Sequence, residues 1–407
     1  MAISQSDLSL KQAENNTDLT TNGGWLTSAA VSTSLFPDVT GAERTSGITR
    51  YRKIFLKNEQ GNTSAPPDKY VELPLLNALA YFENITPADD RMSLKPGSVA
   101  DTQAEAATYT GWAGVGYLYT DTLTVATTNC QVEMEANGAS GEMFQVGGIA
   151  CITNGLTKDF VTLTSVTYNG TRYTLQFNNT PITNGYLRAF ETQTANIITA
   201  NTIGYTLAGM DPNEYAGRLV RVKSATVAGA GQIRRIVSNT TDTLILNYDF
   251  TTLPQGTVVY EILQTYVSMC APLGTVVASY SGVVKHFTVG GLFNETAIKL
   301  SPVGAKDDQW TLLFQADGTT FTITGLKYGN IGGGSITGPD PTKPSTGTSF
   351  YFEIPSTAWT GPFQVGDYVV FVTYSSSKSV WIKEVVPSGA NPHRANTWDL
   401  GISGDTV

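Results

Sequence analysis

The stretch Ser34–Asn58, SLFPDVTGAERTSGITRYRKIFLKN, decides how the chain is read. It carries five basic residues, Arg44, Arg50, Arg52, Lys53 and Lys57, and after Glu43 no acid, in a chain of net charge −9. Pro37 fixes its own φ and pushes Phe36 into an extended conformation. One helical turn is expected from Asp38 to Arg44, with Gly47 as the exit. From Ile48 to Lys57 the β-branched and aromatic content predicts a strand. Alternation puts Ile48, Arg50, Arg52, Ile54 and Leu56 on one face, and Thr49, Tyr51, Lys53, Phe55 and Lys57 on the other. Both faces mix charge with bulk. Two readings follow: a solvated edge strand protected by its cations, or a docking strand whose cations meet acids of a neighbouring subunit. In the second, Arg44, Arg50, Arg52 and Lys53 form an intersubunit contact, with Trp25 as a further anchor.

Working outward, the length of 407 residues allows two or three domains and a sizeable core. Only 14% of residues are charged, and 40 glycines with abundant Thr, Asn and Ser replace them. That balance suits short strands, tight turns and an uncharged polar surface. The acidic net charge argues against nucleic-acid binding, which needs a basic stripe, and gives no attraction to an anionic membrane. Residues 1–16 have neither the basic nor the apolar region of a secretory signal, and no apolar run is long enough for a membrane span. Cys130, Cys151 and Cys270 are too few and too scattered for a metal or redox motif, so three buried thiols made in a reducing cytoplasm are expected.

Residues 1–33 read as a polar N-terminal arm, disordered alone and ordered against a neighbour. Residues 34–198 read as the signature strand and a first β module, whose best-marked feature is a hairpin at Asn169-Gly170 between Phe160–Tyr168 and Arg172–Phe177. Residues 199–265 read as an inserted small β module. Arg218, Arg221, Lys223, Arg234 and Arg235 are expected on its outer face, solvated or facing an anionic glycan. Residues 266–387 read as a C-terminal β module, with Gly329–Pro344 a loop or linker. Residues 388–407 read as a second arm. The tetrapeptide Phe-Gln-Val-Gly occurs at 144–147 and again at 363–366, each time ahead of a strand. The expected fold is all-β: two or three small barrel or sandwich modules with extended N- and C-terminal arms.

Several stretches resemble one family. Asn22-Gly23-Gly24 ahead of the signature, Asp101-Thr102-Gln103, Phe363-Gln-Val-Gly-Asp367 and Trp381-Ile-Lys-Glu-Val-Val-Pro387 are similar to a family of tailed-bacteriophage virion structural proteins. The module at 199–265 is similar to a small β module of phage tail and fibre proteins. The resemblance implies a virion component of the tail or neck, made in the bacterial host cytoplasm. Its partners would be itself, as a homo-oligomer forming rings or a tube, and other virion proteins. A capsid-decorating protein and a receptor- or glycan-binding tail protein are the alternatives.

No catalytic, cofactor or metal site is expected. His286 and His393 are the two histidines, and neither sits in a motif for a general base or metal ligand. Paired carboxylates, the machinery of glycan cleavage, occur as Asp89-Asp90, Asp307-Asp308 and Glu133 with Glu135. The adjacent aspartates read as turn residues, and the glutamates as exposed acids on one strand face.

Overall fold

The computed structural model describes the chain except residues 1, 2, 4, 32–34, 60–72, 87–89, 134–142, 178–181, 302, 338–344, 347–348, 391–397 and 407. The fold is all-β. Its main sheet has eleven strands. At one end lie β1 (Leu8–Asn15) and β2 (Gly23–Ala30), an antiparallel pair, followed by β3 (Ile48–Asn58). Next come the strand Ser377–Val386, then β5 (Arg91–Pro96) after β4 (Leu75–Phe82) has left for another sheet, and then β6 (Ala113–Leu118). From β6 the sheet continues through Tyr266–Met269, Ile149–Thr153, Lys158–Tyr168, Arg172–Phe177 and Asn129–Glu133. The last of these pairs back onto β6, closing a six-strand barrel. The three-stranded sheet of Ala271–Val276, β4 and Leu400–Thr406 contributes to the same core, which includes Leu94, Ile152, Val267 and Ile382.

Local chemistry accounts for the elements that the sequence marks. Helix α1 (Gly41–Ser46) starts on a capping box, in which Thr40 accepts from the Glu43 N–H and Glu43 accepts from the Thr40 N–H. It ends at Gly47, with φ of +78°. The hairpin at Asn169-Gly170 is present, with the Asn169 carboxamide oxygen accepting from the N–H groups of Thr171 and Arg172. The repeated tetrapeptide makes one turn twice. Phe144 and Phe363 are buried, Val146 and Val365 are exposed, and the glycines adopt φ of +83° and +90°. Gly148 N–H closes on Gln145 O at 3.2 Å, and Asp367 N–H on Gln364 O at 3.1 Å. The three cysteines are free and buried. No helix among the described residues is long and apolar enough to cross a membrane.

Two further bodies complete the chain. In the first, a seven-stranded sheet runs from Ala189–Ala195 to Ile197–Ile198. These two edge strands are consecutive segments, so the sheet curls until its ends meet around Val220, Ile236, Tyr260 and Ile262. In the second, five strands (Ser279–His286, Tyr368–Tyr374, Asp308–Phe314, Thr320–Gly325 and Gly329–Ser335) cover an aromatic core of Trp310, Phe314, Phe321, Trp359 and Phe371.

Four expectations need correction. The N-terminal arm is two strands: β1 covers the edge that β3 would otherwise expose, and Ala13 and Asn22 are buried. The C-terminal arm likewise supplies Leu400–Thr406, paired with β4. The Gly-rich stretch expected as a loop is a strand over Gly329–Ser335, because glycine leaves room for close pairing with Thr320–Gly325. Residues 338–344 of that stretch lie outside the described residues. The stretch 266–387 divides between two cores, since Tyr266–Met269, Ala271–Val276 and Ser377–Val386 join the first one.

The curled body starts at Ala189, and its two chain ends are tied by a hydrogen bond from Gln264 N–H to Arg188 O at 3.0 Å. Adjacent ends make such a body removable. Replacing 189–263 by two glycines should leave a soluble remainder with a cooperative thermal transition by circular dichroism. Aggregation of that variant would show that the body is integral to the barrel's stability.

Candidate functional site

The site worth building is the signature strand itself. β3 lies in the interior of the sheet, between β1 and Ser377–Val386, and is buried on both faces from Arg52 to Asn58. Its cations must therefore find partners inside the protein, since an unpaired buried charge is too costly to keep.

Lys53 is 0% exposed. Its ammonium donates to the carbonyls of Gly24 (2.9 Å), Val99 (3.0 Å) and Asp101 (3.2 Å), and pairs with Asp101 Oδ1 at 2.5 Å. The other oxygen of Asp101 accepts from Ser98 N–H (2.9 Å), Tyr109 Oη (2.6 Å) and Trp381 Nε1 (2.9 Å). Burial works to raise the Asp101 carboxyl, but the hydrogen bonds from Lys53 and Tyr109 hold it below the usual carboxylate range. Burial lowers the Lys53 ammonium against the pull of Asp101.

Arg50 faces Glu384 across the ladder, with Nε at 2.7 Å and Nη2 at 2.6 Å from Oε2. Its Nη1 holds the Pro37 carbonyl at 2.9 Å. Arg52 binds Leu35 O at 3.1 Å, Thr17 O at 2.8 Å and the Asp18 carboxylate at 2.8 Å, and lies over the Phe36 ring. The two arginines thus pin the Leu35–Asp38 turn to the sheet. Arg44 is half-buried and donates to Val39 O at 2.8 Å. Trp25 is half-buried beneath the Lys327 ammonium, 4.8 Å from its ring, and Lys327 also pairs with Glu14 at 2.6 Å.

The expected intersubunit patch is corrected by these contacts. Arg50, Arg52 and Lys53 are at most 2% exposed and are paired within their own chain, so no neighbour can reach them. Sequence reasoning missed Asp101, Glu384 and Asp18, the acids that answer them. The one local signal was the isolation of the cluster from any nearby acid.

Stretches distant in sequence meet here. Asn22 is buried, donates to Tyr51 O, and joins Gln103 through both side chain and backbone. Gly23 bridges to Thr102 and adopts φ of +111°. A Cβ at Gly23 would lie 2.7 Å from Asp101 O and 2.8 Å from the Trp381 ring. Thus Asn22-Gly23-Gly24, the signature strand, Asp101-Thr102-Gln103 and the Trp381 strand form one knot. Phe363–Asp367 lies elsewhere, in the aromatic core, where Asp367 accepts from Thr288 and Gln364.

A second buried network ties the curled body to the barrel. Glu133 pairs with Arg172 at 2.9 Å and with Arg221, and Arg221 reaches Glu261 at 3.1 Å. Glu261, 0% exposed, also pairs with Arg188 at 2.9 Å. The outward basic face expected here is therefore corrected for Arg221 and Arg234, both 6% exposed, while Arg218, Lys223 and Arg235 are half-buried.

Of the carboxylate pairs, Glu133, Asp307 and Asp308 are held by partners in their own chain. Glu133 is committed to two arginines, and Glu135 and Asp89 lie outside the described residues. Asp90 is buried. Asp307 accepts from the N–H and Oγ of Ser375, and Asp308 from the N–H groups of Lys327 and Tyr328. His286 is exposed and stacks on Tyr368, and His393 lies outside the described residues. Among the described residues no three His, Cys, Asp or Glu side chains gather as metal ligands.

No family model and no curated protein matches the chain.

Glu384 supplies a pH test. Burial, reinforced by the negative charge of Asp90, pushes its carboxyl up to about 7 against the pull of Arg50. An acid whose folded value lies above its unfolded one favours folding most when protonated. Its contribution is fully present below the ordinary value of 4.5 and is lost as pH rises to about 7. The stability of the wild type minus that of Glu384→Gln should therefore fall across that window in urea titrations. A flat difference would show that Glu384 stays ionised on Arg50 throughout.

Proposed function

We propose that this chain is a non-enzymatic structural subunit of a tailed-phage virion, a tail or neck component that assembles into rings or a tube. The observation that carries the reading is the convergence just described. Four of the stretches that resemble the virion family, Asn22-Gly23-Gly24, the signature strand, Asp101-Thr102-Gln103 and the Trp381 strand, meet in one knot of ion pairs, backbone carbonyls and glycine-dependent close approach. The knot holds a buried lysine whose three protons are all directed to oxygens of its own chain, and the Asp101 carboxylate is taken up by Lys53, Ser98, Tyr109 and Trp381. Such an arrangement fixes a frame and leaves nothing to turn over.

Assembly on this reading runs through surface that the pairing scheme leaves open, not through the basic strand. Among the described residues β2 is an edge of the main sheet, and Ser279–His286 and Gly329–Ser335 are the edges of the five-stranded sheet. Gly329–Ser335 carries no charge and no proline, the usual protections of an edge. Two different edges on one sheet suit head-to-tail contacts, which close into rings or continue as tubes.

Quantitative mass spectrometry of purified virions, separated into tail and head fractions, tests the proposal. The chain should co-purify with tails, in multiples of three, six or twelve for a ring or in hundreds for a tube. Recovery with tailless heads would favour capsid decoration, and absence from virions would overturn the reading.

A further inference from the structure

A cavity of about 320 Å³ lies where β4 and β5 meet the barrel. Its floor is apolar and buried, formed by Leu94, Trp112, Met143 and Met269 among others. Its rim is exposed at Gln145, Gly147 and Pro272, so the cavity has a mouth. Protein interiors are close-packed and seldom leave voids larger than a water molecule, whose share of liquid is ~30 Å³. A space of this size is large enough to admit a small molecule.

Two features define what it takes. The first is Lys95, which is half-buried and lines the cavity. Its ammonium makes a long hydrogen bond, 3.3 Å, to Gly111 O, and no carboxylate among the described residues pairs with it. A cation beside an apolar, partly dry space attracts an anion more strongly than it would in water. The second is the wall. Gly114 and Gly148 leave the room that the Met143 and Met269 side chains occupy, since a Cβ at either glycine would overlap a methionine methyl. Methionine is unbranched and polarisable, so these walls adapt to flat or irregular apolar bodies. The volume is about twice the ~150 Å³ that accepts a benzene ring.

We propose that this cavity binds a small amphipathic anion, with an apolar body of about two fused rings in size seated on Trp112, Met143 and Met269 and a carboxylate on Lys95. This site is independent of the virion reading above. Its occupant is recognised by shape and one charge, with the exposed rim as the route of entry.

The test is isothermal titration of the full chain with 2-naphthoate and with its neutral analogue 2-naphthamide. Saturable one-to-one binding of 2-naphthoate is expected, with 2-naphthamide weaker by about tenfold, the worth of one charge-assisted hydrogen bond. Lys95→Met should weaken 2-naphthoate by a similar factor and leave 2-naphthamide unchanged. Met269→Trp, which fills the floor, should abolish both. Circular dichroism checks that each variant is folded. If a variant fails to fold, the acid–amide comparison in the wild-type chain decides. No saturable binding at millimolar ligand, equal binding of acid and amide, or binding that survives in folded Met269→Trp would each overturn the proposal.

Discussion

The structure depends on a positive charge held inside a β-sheet. Lys53 sits on an interior strand of the main sheet with no access to water, and burial alone would drive its proton off or break the strand. Asp101 and three backbone carbonyls prevent that. Meeting the demand of one ammonium recruits the β2 strand through Gly24, the 98–103 segment through Val99 and Asp101, and the C-terminal strand through Trp381. Glycine at position 23 follows from the same constraint, because a side chain there would displace the Asp101 carbonyl and the Trp381 ring. Four stretches of sequence are thereby fixed relative to one another by one cation.

Arg50 and Arg52 extend this principle outward. Arginine suits both positions because its planar fork serves a carboxylate and carbonyls together. Arg50 spans Glu384 and Pro37, and Arg52 spans Asp18, Thr17 and Leu35. The network of Glu133, Arg172, Arg221, Arg188 and Glu261 repeats the device at the junction of the barrel and the curled body. In a chain with so few charges, many of them are spent inside. The surface left outside is low in charge for its size, which would suit the proposed subunit that joins copies of itself.

What was legible in the sequence was local. A helical turn ahead of the exit at Gly47, the Asn169-Gly170 hairpin and the strand beginning at Ile48 all depend on neighbours a few residues away. The doubled Phe-Gln-Val-Gly tetrapeptide ahead of a strand was visible for the same reason, though not the turn it makes. What was hidden was pairing at long range. Whether β3 is an edge or a centre depends on β1 and on Ser377–Val386, and the latter lies more than three hundred residues downstream. Alternation showed that both faces of β3 mix charge and bulk, which is the pattern of a strand buried on both sides with internal ion pairs. The same pattern fits an interface, and only the positions of Asp101 and Glu384 separate the two. The terminal segments were misread because Leu8–Asn15 and Leu400–Thr406 are short and weakly apolar, and become strands only by lying against β3 and β4. The glycines of Gly329–Ser335 concealed a strand in the same way.

The most direct test of the account is a double-mutant cycle on Lys53 and Asp101, read by urea unfolding. Lys53→Met and Asp101→Asn should each cost about 3–5 kcal/mol, because each strands a buried partner. The double variant should cost much less than the sum, with a coupling of about 2–3 kcal/mol. Single losses below about 1 kcal/mol that add without coupling would contradict the claim that this buried pair organises the sheet.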